Sequence, residues 1–435
     1  MKWLVLTIGG TSKIAVDSIK AEPRPDRAYF MCSAETESVG KGSALLVQGK
    51  GNVCKSRRDG PVDLPSIPVQ AGLSPEQWAL SRYDLNADDL EDCYLKSVEA
   101  FTQIRQEDPR ADIYADYTGG TKSMVVGLAM AALDDGRVKL VLVAGSRGNL
   151  ELSGDDDIAI VVSVARIVHH RAVLRARAFT AKYDYGAAAI VFEKLAQETH
   201  RASMVVHLHS LCLAFDAWDR FDHQRAFTFL DTADKKGEYG RFRAALKPIV
   251  TALSRTEADG TQLPVWKTHA GYLLAADILA NGKRRAARQQ YDDAIARDYR
   301  ACELVAQTEL WTAHEVDAGN VRMDQVPEGS VAWRDTLKNE PALGFLHSWE
   351  LLAVLNHDLG QLWLKWQGPV RHAMERRNYS LLAHGTRLVT QSDYDDDMSQ
   401  GMGGFATAAL DALAEQKRFD RHLMTPDFPT DFPGE

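Results

Sequence analysis

Two short runs, Gly9-Gly10-Thr11-Ser12-Lys13 and Gly119-Gly120-Thr121-Lys122-Ser123, each follow an apolar segment of strand character, Trp3–Ile8 and Ile113–Tyr117, and each open a helical pattern. A strand that ends in paired glycines and passes straight into a helix is half of a βαβ unit. Two of them commit this part of the chain to a parallel sheet with helices across its faces. The glycines let backbone N–H groups come close to an anion, and the helix that follows adds unpaired amides and the positive end of its dipole. The runs therefore predict two backbone-lined sites for a phosphate-bearing ligand; tight turns that bind nothing are the alternative. Neither run is the Gly-x-x-x-x-Gly-Lys-Ser/Thr of a nucleoside-triphosphate loop, and no Gly-x-Gly-x-x-Gly follows the first strand, so neither ATP hydrolysis nor NAD binding is indicated.

The rest of the first third agrees with this frame. Apolar segments at Ala28–Cys32 and Val138–Ala144 and helical patterns near Asp88–Gln106 and Lys122–Leu133 alternate as an α/β Rossmann-like domain requires. Ligands of such sheets sit beyond the carboxyl ends of the strands. Residues 7–12, 33–35, 118–122 and 145–148 fall there, and Gly9, Gly10, Thr11, Ser12, Thr118, Gly119, Gly120, Thr121 and Lys122 are the candidate ligand-binding residues. Val39–Leu73, rich in Gly and Pro and carrying Lys55, Arg57 and Arg58, reads as a long excursion with at most one strand.

After Asp155-Asp156-Asp157 the pattern changes. One more apolar run, Ile158–Val164, leads into an all-α domain with helices near Ile167–Ala181, Gly186–Glu198, Ala202–Asp219, His223–Ala233, Trp266–Leu279, Lys283–Leu310, Phe345–Trp366, Val370–His384 and Phe405–Arg418. This gives a Rossmann-like domain over 1–160, a helical domain over 161–423 and a flexible, Pro-rich tail over 424–435. Helices around Ala189, Ala226 and Ala287 look alike, but their spacing has no fixed period, so a regular solenoid is disfavoured.

The five cysteines are scattered and never spaced Cys-x-x-Cys, which argues against a disulfide framework and a zinc site and for a reducing compartment. The apolar stretch Met1–Ile8 is too short for a signal peptide, and no run approaches the ~20 apolar residues of a membrane span; the expectation is a cytoplasmic protein with no membrane partner. Net charge is −9, so local clusters matter more than the total. Lys365, Arg371, Arg376, Arg377 and Arg387, with only Glu375 against them, form a basic island, whereas Lys283-Arg284-Arg285 with Arg288 reads as a solvated helix face. Asp393, Asp395, Asp396 and Asp397 read as a solvated loop rather than a metal cluster, and His169, His170, His207 and His209 fall on different helix faces and make poor ligands.

Within the basic island, Arg377-Asn378-Tyr379-Ser380-Leu381-Leu382-Ala383-His384, followed by Gly385, carries the chemistry. If it is helical throughout, Arg377 and His384 share a face about 10 Å apart along the axis. A two-fold dimer would bring two arginines and two histidines around one phosphate. Alternatively, Gly385 ends the helix early and leaves His384 on a looser turn.

The Asp116-Tyr117-Thr118-Gly119-Gly120-Thr121-Lys122 segment, together with Arg377-Asn378 and Leu382-Ala383-His384-Gly385, resembles the CRISPR-associated Rossmann fold (CARF) plus HEPN ribonucleases of type III CRISPR systems. Trp218-Asp219-Arg220-Phe221-Asp222-His223 also looks like a sequence of that family, and reads as an aromatic packing corner between two helices. The resemblance implies a homodimer that binds cyclic oligoadenylate as an activator and then cuts single-stranded RNA without a metal or other cofactor. His384 would transfer protons, Arg377 would stabilise the phosphorane and Asn378 would orient the phosphate. Many HEPN motifs space Arg and His more tightly than the six intervening residues here. Two other readings are a nucleotide-sensing scaffold without nuclease activity and a sensor that degrades its own cyclic ligand.

Overall fold

A computed structural model describes residues 1–33, 42–56, 62–81, 85–144, 158–198, 203–234 and 237–432, and the chain divides into two compact units, Met1–His170 and Arg171–Glu435. The first unit runs β1 (Lys2–Ile8), α1 (Lys13–Lys20), β2 (Arg27–Cys32), α2 (Leu45–Gln48), β3 (Cys54–Ser56), β4 (Val62–Leu64), α3 (Ile67–Ala71), β5 (Trp78–Leu80), α4 (Leu90–Glu107), β6 (Asp112–Asp116), α5 (Lys122–Asp135), β7 (Lys139–Ala144) and β8 (Ile158–Val161). Six strands make one sheet in the order β5-β2-β1-β6-β7-β8. β1 pairs in parallel with β2 and β6, β2 with β5 and β6 with β7, while β8 closes the edge antiparallel to β7. This is the Rossmann-like α/β domain the glycine runs called for.

β1 is central because every residue from Trp3 to Ile8 is buried, as a strand covered on both faces requires. Its period-2 alternation splits the core in two. Trp3 and Val5 pack with Cys93, Phe101, Leu128 and Ala131 of α4 and α5, while Leu4, Leu6 and Ile8 pack with Val16 and Ile19 of α1 and Ile67 of α3. α5 begins where the Thr121 hydroxyl accepts the Met124 N–H and ends at Gly136 in the left-handed region, φ 73°. Two details differ from the sequence reading. The edge strand β5 is only three residues long and carries no alternation to find, and the Val39–Leu73 excursion holds a two-stranded hairpin, β3 with β4, rather than at most one strand.

The second unit is helical: α6 (Ala165–Thr180, which starts in the first unit's last residues), α7 (Tyr185–Glu198), α8 (Ser203–Asp219), α9 (His223–Ala233), α10 (Gly240–Leu253), α11 (Ala270–Ala287), α12 (Tyr291–His314), α13 (Phe345–Leu355), α14 (His357–Asn378), α15 (Gln391–Gln400) and α16 (Met402–Glu415). One core joins α11 to α16, with Trp349, Trp363 and Phe405 in contact at its centre. Among the described residues no helix is long and apolar enough to cross a membrane.

Several boundaries moved for identifiable reasons. Lys283–Leu310 is not one helix: α11 stops at Ala287 and Gln289, φ 63°, turns the chain into α12. Asn356 caps α14 by accepting the Leu359 N–H at 3.1 Å, so the break falls there rather than at Gln367-Gly368-Pro369, which the helix passes through. α10 escaped notice because Pro248 sits inside it. The acidic run read as a loop is α15, started by a capping box in which Thr390 and Asp393 satisfy each other's backbone N–H.

Two surface assignments are also overturned, and one packing corner holds with a polar addition. Arg284 is buried, lies 3.7 Å from the Phe428 ring centroid and, with Arg285 and Arg288, converges on Asp219, so this island is no solvated face. The Trp218–His223 corner is polar as well as aromatic, since Asp277 accepts the Trp218 indole N–H at 3.0 Å and faces His223 Nε2 at 2.8 Å. The chain end is no free tail through 432: Phe428 and Phe432 are buried against Tyr185 and Phe215, because apolar rings left on a helical bundle gain by closing over it.

Candidate functional site

In the first unit the two glycine loops leave the carboxyl ends of β1 and β6, the adjacent strands between which the sheet order reverses. Helices then run to opposite faces and the loops part, which opens a crevice at that point in any such sheet. Here the loops touch. The Thr7 hydroxyl donates to the Gly119 carbonyl, and a Cβ on Gly9 would come 3.3 Å from the Gly120 Cα. Gly120 has φ 117° and its Cβ position is taken by the Thr7 side chain, so no other residue fits.

The two runs thus line one cavity of about 130 Å³ rather than two sites, walled by Gly9, Gly10, Thr11, Thr118, Gly119 and Gly120 with Thr7, Ile14 and Asp116. Three of the sequence candidates are placed differently. Ser12 is buried and bonds the Cys54 thiol, Thr121 gives its hydroxyl proton to the Ala87 carbonyl at 2.5 Å while capping α5, and Lys122 is exposed as the first residue of α5. Glu35 and residues 145–148 lie outside the described residues.

Asp116, which opens the Asp116–Lys122 segment but is not among the candidate ligand residues, also lines the cavity. Burial pushes its carboxyl above the usual range, against the opposing bonds from Ser18 and from the Thr118 hydroxyl and N–H. The uncharged form this favours would lessen repulsion of an anionic ligand. Thr118 in turn accepts the Val143 N–H at 2.9 Å, which ties the β6 loop to β7.

In the second unit α14 ends at Asn378, not at His384. Ser380 is buried and pairs in a bridge with Arg387, whose N–H donates to the Tyr379 carbonyl at 2.9 Å. Residues 379–387 therefore fold back on the helix end. The His384 N–H reaches the Asn378 carbonyl at 3.2 Å, so the histidine returns to the residue beside Arg377 instead of continuing along the axis. Gly385 permits this, because a Cβ there would strike the Tyr379 backbone. His384 and Asn378 are exposed and Arg377 half-buried.

Arg377 donates through Nη1 to Asn378 Oδ1 at 3.3 Å, and its guanidinium lies 4.6 Å from the Tyr299 ring centroid. Its buried Nε has no partner among the described residues. The island's other arginines are neutralised: Arg371 pairs with Glu350, Arg376 with Asp396, and Arg387 with Asp393. The site thus holds a cation with donors to spare, an amide and an exposed imidazole around one turn. That set can bind a phosphate, stabilise added negative charge on it and move a proton. Asp393, Asp396 and Asp397 of α15 are spent on this scaffold and on helix starts; among the described residues no three His, Cys, Asp or Glu side chains converge as a metal site.

Residues 264–400, which contain this site, match the family model for the Csm6 HEPN domain. The whole chain superposes on Enterococcus italicus Csm6 bound to cyclic hexa-2′-fluoro-hexa-dAMP, with a TM-score of 0.58, 13% sequence identity, and coverage of 97% of this chain and 96% of that one. No curated protein sequence matches the chain. The chain thus shares its fold with that Csm6 protein, and its helical unit carries the segment that matches the Csm6 HEPN model, in which the loop after α14 folds back to bond His384 to Asn378 beside Arg377.

Proposed function

We propose that the protein is an endoribonuclease that cuts single-stranded RNA at Arg377, Asn378 and His384 when cyclic oligoadenylate occupies the cavity of the α/β unit. The observation that carries this reading is the return of His384 to Asn378 beside an arginine with no carboxylate partner among the described residues, inside the segment that matches a HEPN domain. The substrate 2′-hydroxyl attacks the adjacent phosphorus and loses its proton to a base. The bond from phosphorus to the 5′-oxygen breaks, and that oxygen takes a proton, leaving a 2′,3′-cyclic phosphate and a 5′-hydroxyl. His384 serves the proton transfers, Arg377 meets the charge that grows on the phosphorane, and Asn378 holds Arg377 and the phosphate in register. The reading needs no metal, so chelators should leave the rate unchanged.

One copy supplies one histidine, and the reaction moves a proton at two oxygens. A two-fold dimer supplies both. Tyr379, Leu381, Leu382 and Leu388, all more than half exposed around the site, support a second copy covering this face. In the α/β unit, helices α4 and α5, which pack against each other, likewise leave Leu95, Val98, Val126 and Met130 exposed.

The activator reading rests on the Gly9–Thr11 and Thr118–Gly120 cavity and on the cyclic nucleotide held by the Enterococcus italicus protein. The test is incubation with labelled single-stranded RNA, with and without cyclic tetra- and hexa-adenylate, following both RNA and ligand. RNA cleavage only with activator supports the proposal. Ligand binding without any cleavage indicates a scaffold, and loss of ligand alone indicates a sensor that degrades what it binds.

A further inference from the structure

Among Arg371, Arg376, Arg377 and Arg387, Arg377 alone has no carboxylate partner among the described residues. Something else holds it. Tyr299, in the middle of α12, lies under the guanidinium at 4.6 Å, and the Tyr299 ring is stacked in turn on buried Phe345 of α13 at 5.1 Å with 24° between planes. The order Phe345, Tyr299, Arg377 runs from the helical core out to the site.

An aromatic face and a carboxylate hold an arginine in different ways. A carboxylate takes two N–H donors and cancels the charge. A ring face fixes the plane of the guanidinium while leaving its edge donors and its charge unspent. A group meant to meet a phosphate that gains charge in the transition state needs the second arrangement, with its orientation set beforehand. We propose that Tyr299 is a positioning residue for Arg377, holding the guanidinium plane so that its donors face the scissile phosphate. This rests on the reading of Arg377 as the charge-stabilising group. The useful part of Tyr299 is its ring, which is what meets Arg377 and Phe345.

The full chain is assayed for RNA cleavage at saturating cyclic oligoadenylate, with kcat and KM measured for Tyr299→Phe, Tyr299→Met and Arg377→Ala beside wild type. Tyr299→Met keeps much of the volume and removes the π face, and should lower kcat about tenfold with KM within twofold, at an unchanged thermal unfolding midpoint. Tyr299→Phe should restore kcat to within twofold of wild type. A Tyr299→Met protein with wild-type kcat beside an inactive Arg377→Ala overturns the stack alone. So does a Tyr299→Phe protein as impaired as Tyr299→Met, or one whose KM rises while kcat holds. Should Tyr299→Met unfold, Tyr299→Trp, which keeps a π face, must retain kcat for the proposal to stand. An Arg377→Ala protein that cleaves at the wild-type rate refutes the role of Arg377 itself.

Discussion

The backbone N–H of His384 donates to the carbonyl oxygen of Asn378 at 3.2 Å, so the histidine is tied to the last residue of the helix whose preceding residue is Arg377. Seven residues along a helix would have separated the two by about 10 Å. A loop closes that gap, and the loop depends on the absence of a side chain at Gly385.

Gly385→Ala should therefore act on catalysis without removing any group that performs it. The added Cβ would collide with the Tyr379 backbone, the loop would open, and His384 would leave Asn378. Misplacement of a catalytic group by an ångström costs about 100-fold, so RNA cleavage should fall by about that factor while activator affinity stays unchanged. Cleavage at the wild-type rate would show that the turn does not set the site.

Lys122→Ala tests the other end of the proposal. Lys122 is exposed at the first position of α5, beside loops whose N–H groups would hold the ligand phosphates. An exposed charge contact is worth about 1 kcal/mol at most, so the activator concentration for half-maximal cleavage should rise about fivefold with the saturated rate unchanged. Titration of activator against cleavage rate decides it. An unchanged midpoint takes Lys122 out of the sensor, and a lowered saturated rate with the same midpoint would place catalysis in the α/β unit.

Asp298 of α12 and Asp397 of α15 predict a pH dependence of stability. Both are buried, and Asp397 accepts the Met402 N–H at 2.9 Å and the Gly403 N–H at 3.1 Å while neither Asp298 oxygen meets a donor among the described residues, so the charge sits on Asp397 and the proton on Asp298. Burial raises both carboxyls above the usual range, Asp298 well above it and further so by the Asp397 charge. A carboxyl raised on folding binds its proton more tightly in the folded state. The stabilisation is complete below the unfolded value of about 3.9 and is lost as pH rises through the folded value. Asp298→Asn keeps a donor for Asp397 without a proton to lose. Its unfolding midpoint should decline less from pH 5 to pH 9 than that of wild type, and exceed it at pH 9 by about 2–4 °C, the shift that ~1 kcal/mol gives in a unit of this size. Parallel curves would contradict the assignment.

The sheet was legible because local signals and tertiary demands coincide there. Trp3–Ile8 is apolar but for Thr7, as a central strand must nearly be, and the glycines that follow mark the place where the chain must turn close to a neighbour. That the two runs meet in one cavity was not legible, since it depends on β1 and β6 being adjacent, a property of strand order. In the helical unit Arg377, Asn378 and His384 could be picked out by type, but their geometry could not. The turn that joins them is held by Ser380 against Arg387 and by Arg387 against Asp393, contacts that no local pattern announces. Tyr299 left no signal at all, being one aromatic on an alanine-rich helix, and Phe428 and Phe432 were hidden by the prolines around them.

The central claim is that RNA is cut at His384 under the control of a cyclic oligoadenylate bound in the α/β unit. The most direct measurement is the single-turnover rate of cleavage of labelled single-stranded RNA at saturating activator, for wild type and His384→Ala, with activator affinity measured on the same preparations. The account predicts a rate at least about 100-fold lower for His384→Ala, the contribution of a general acid or base, with activator affinity unchanged and wild-type products ending in 2′,3′-cyclic phosphate. Undiminished cleavage by His384→Ala, or 5′-phosphate products from wild type, would contradict it.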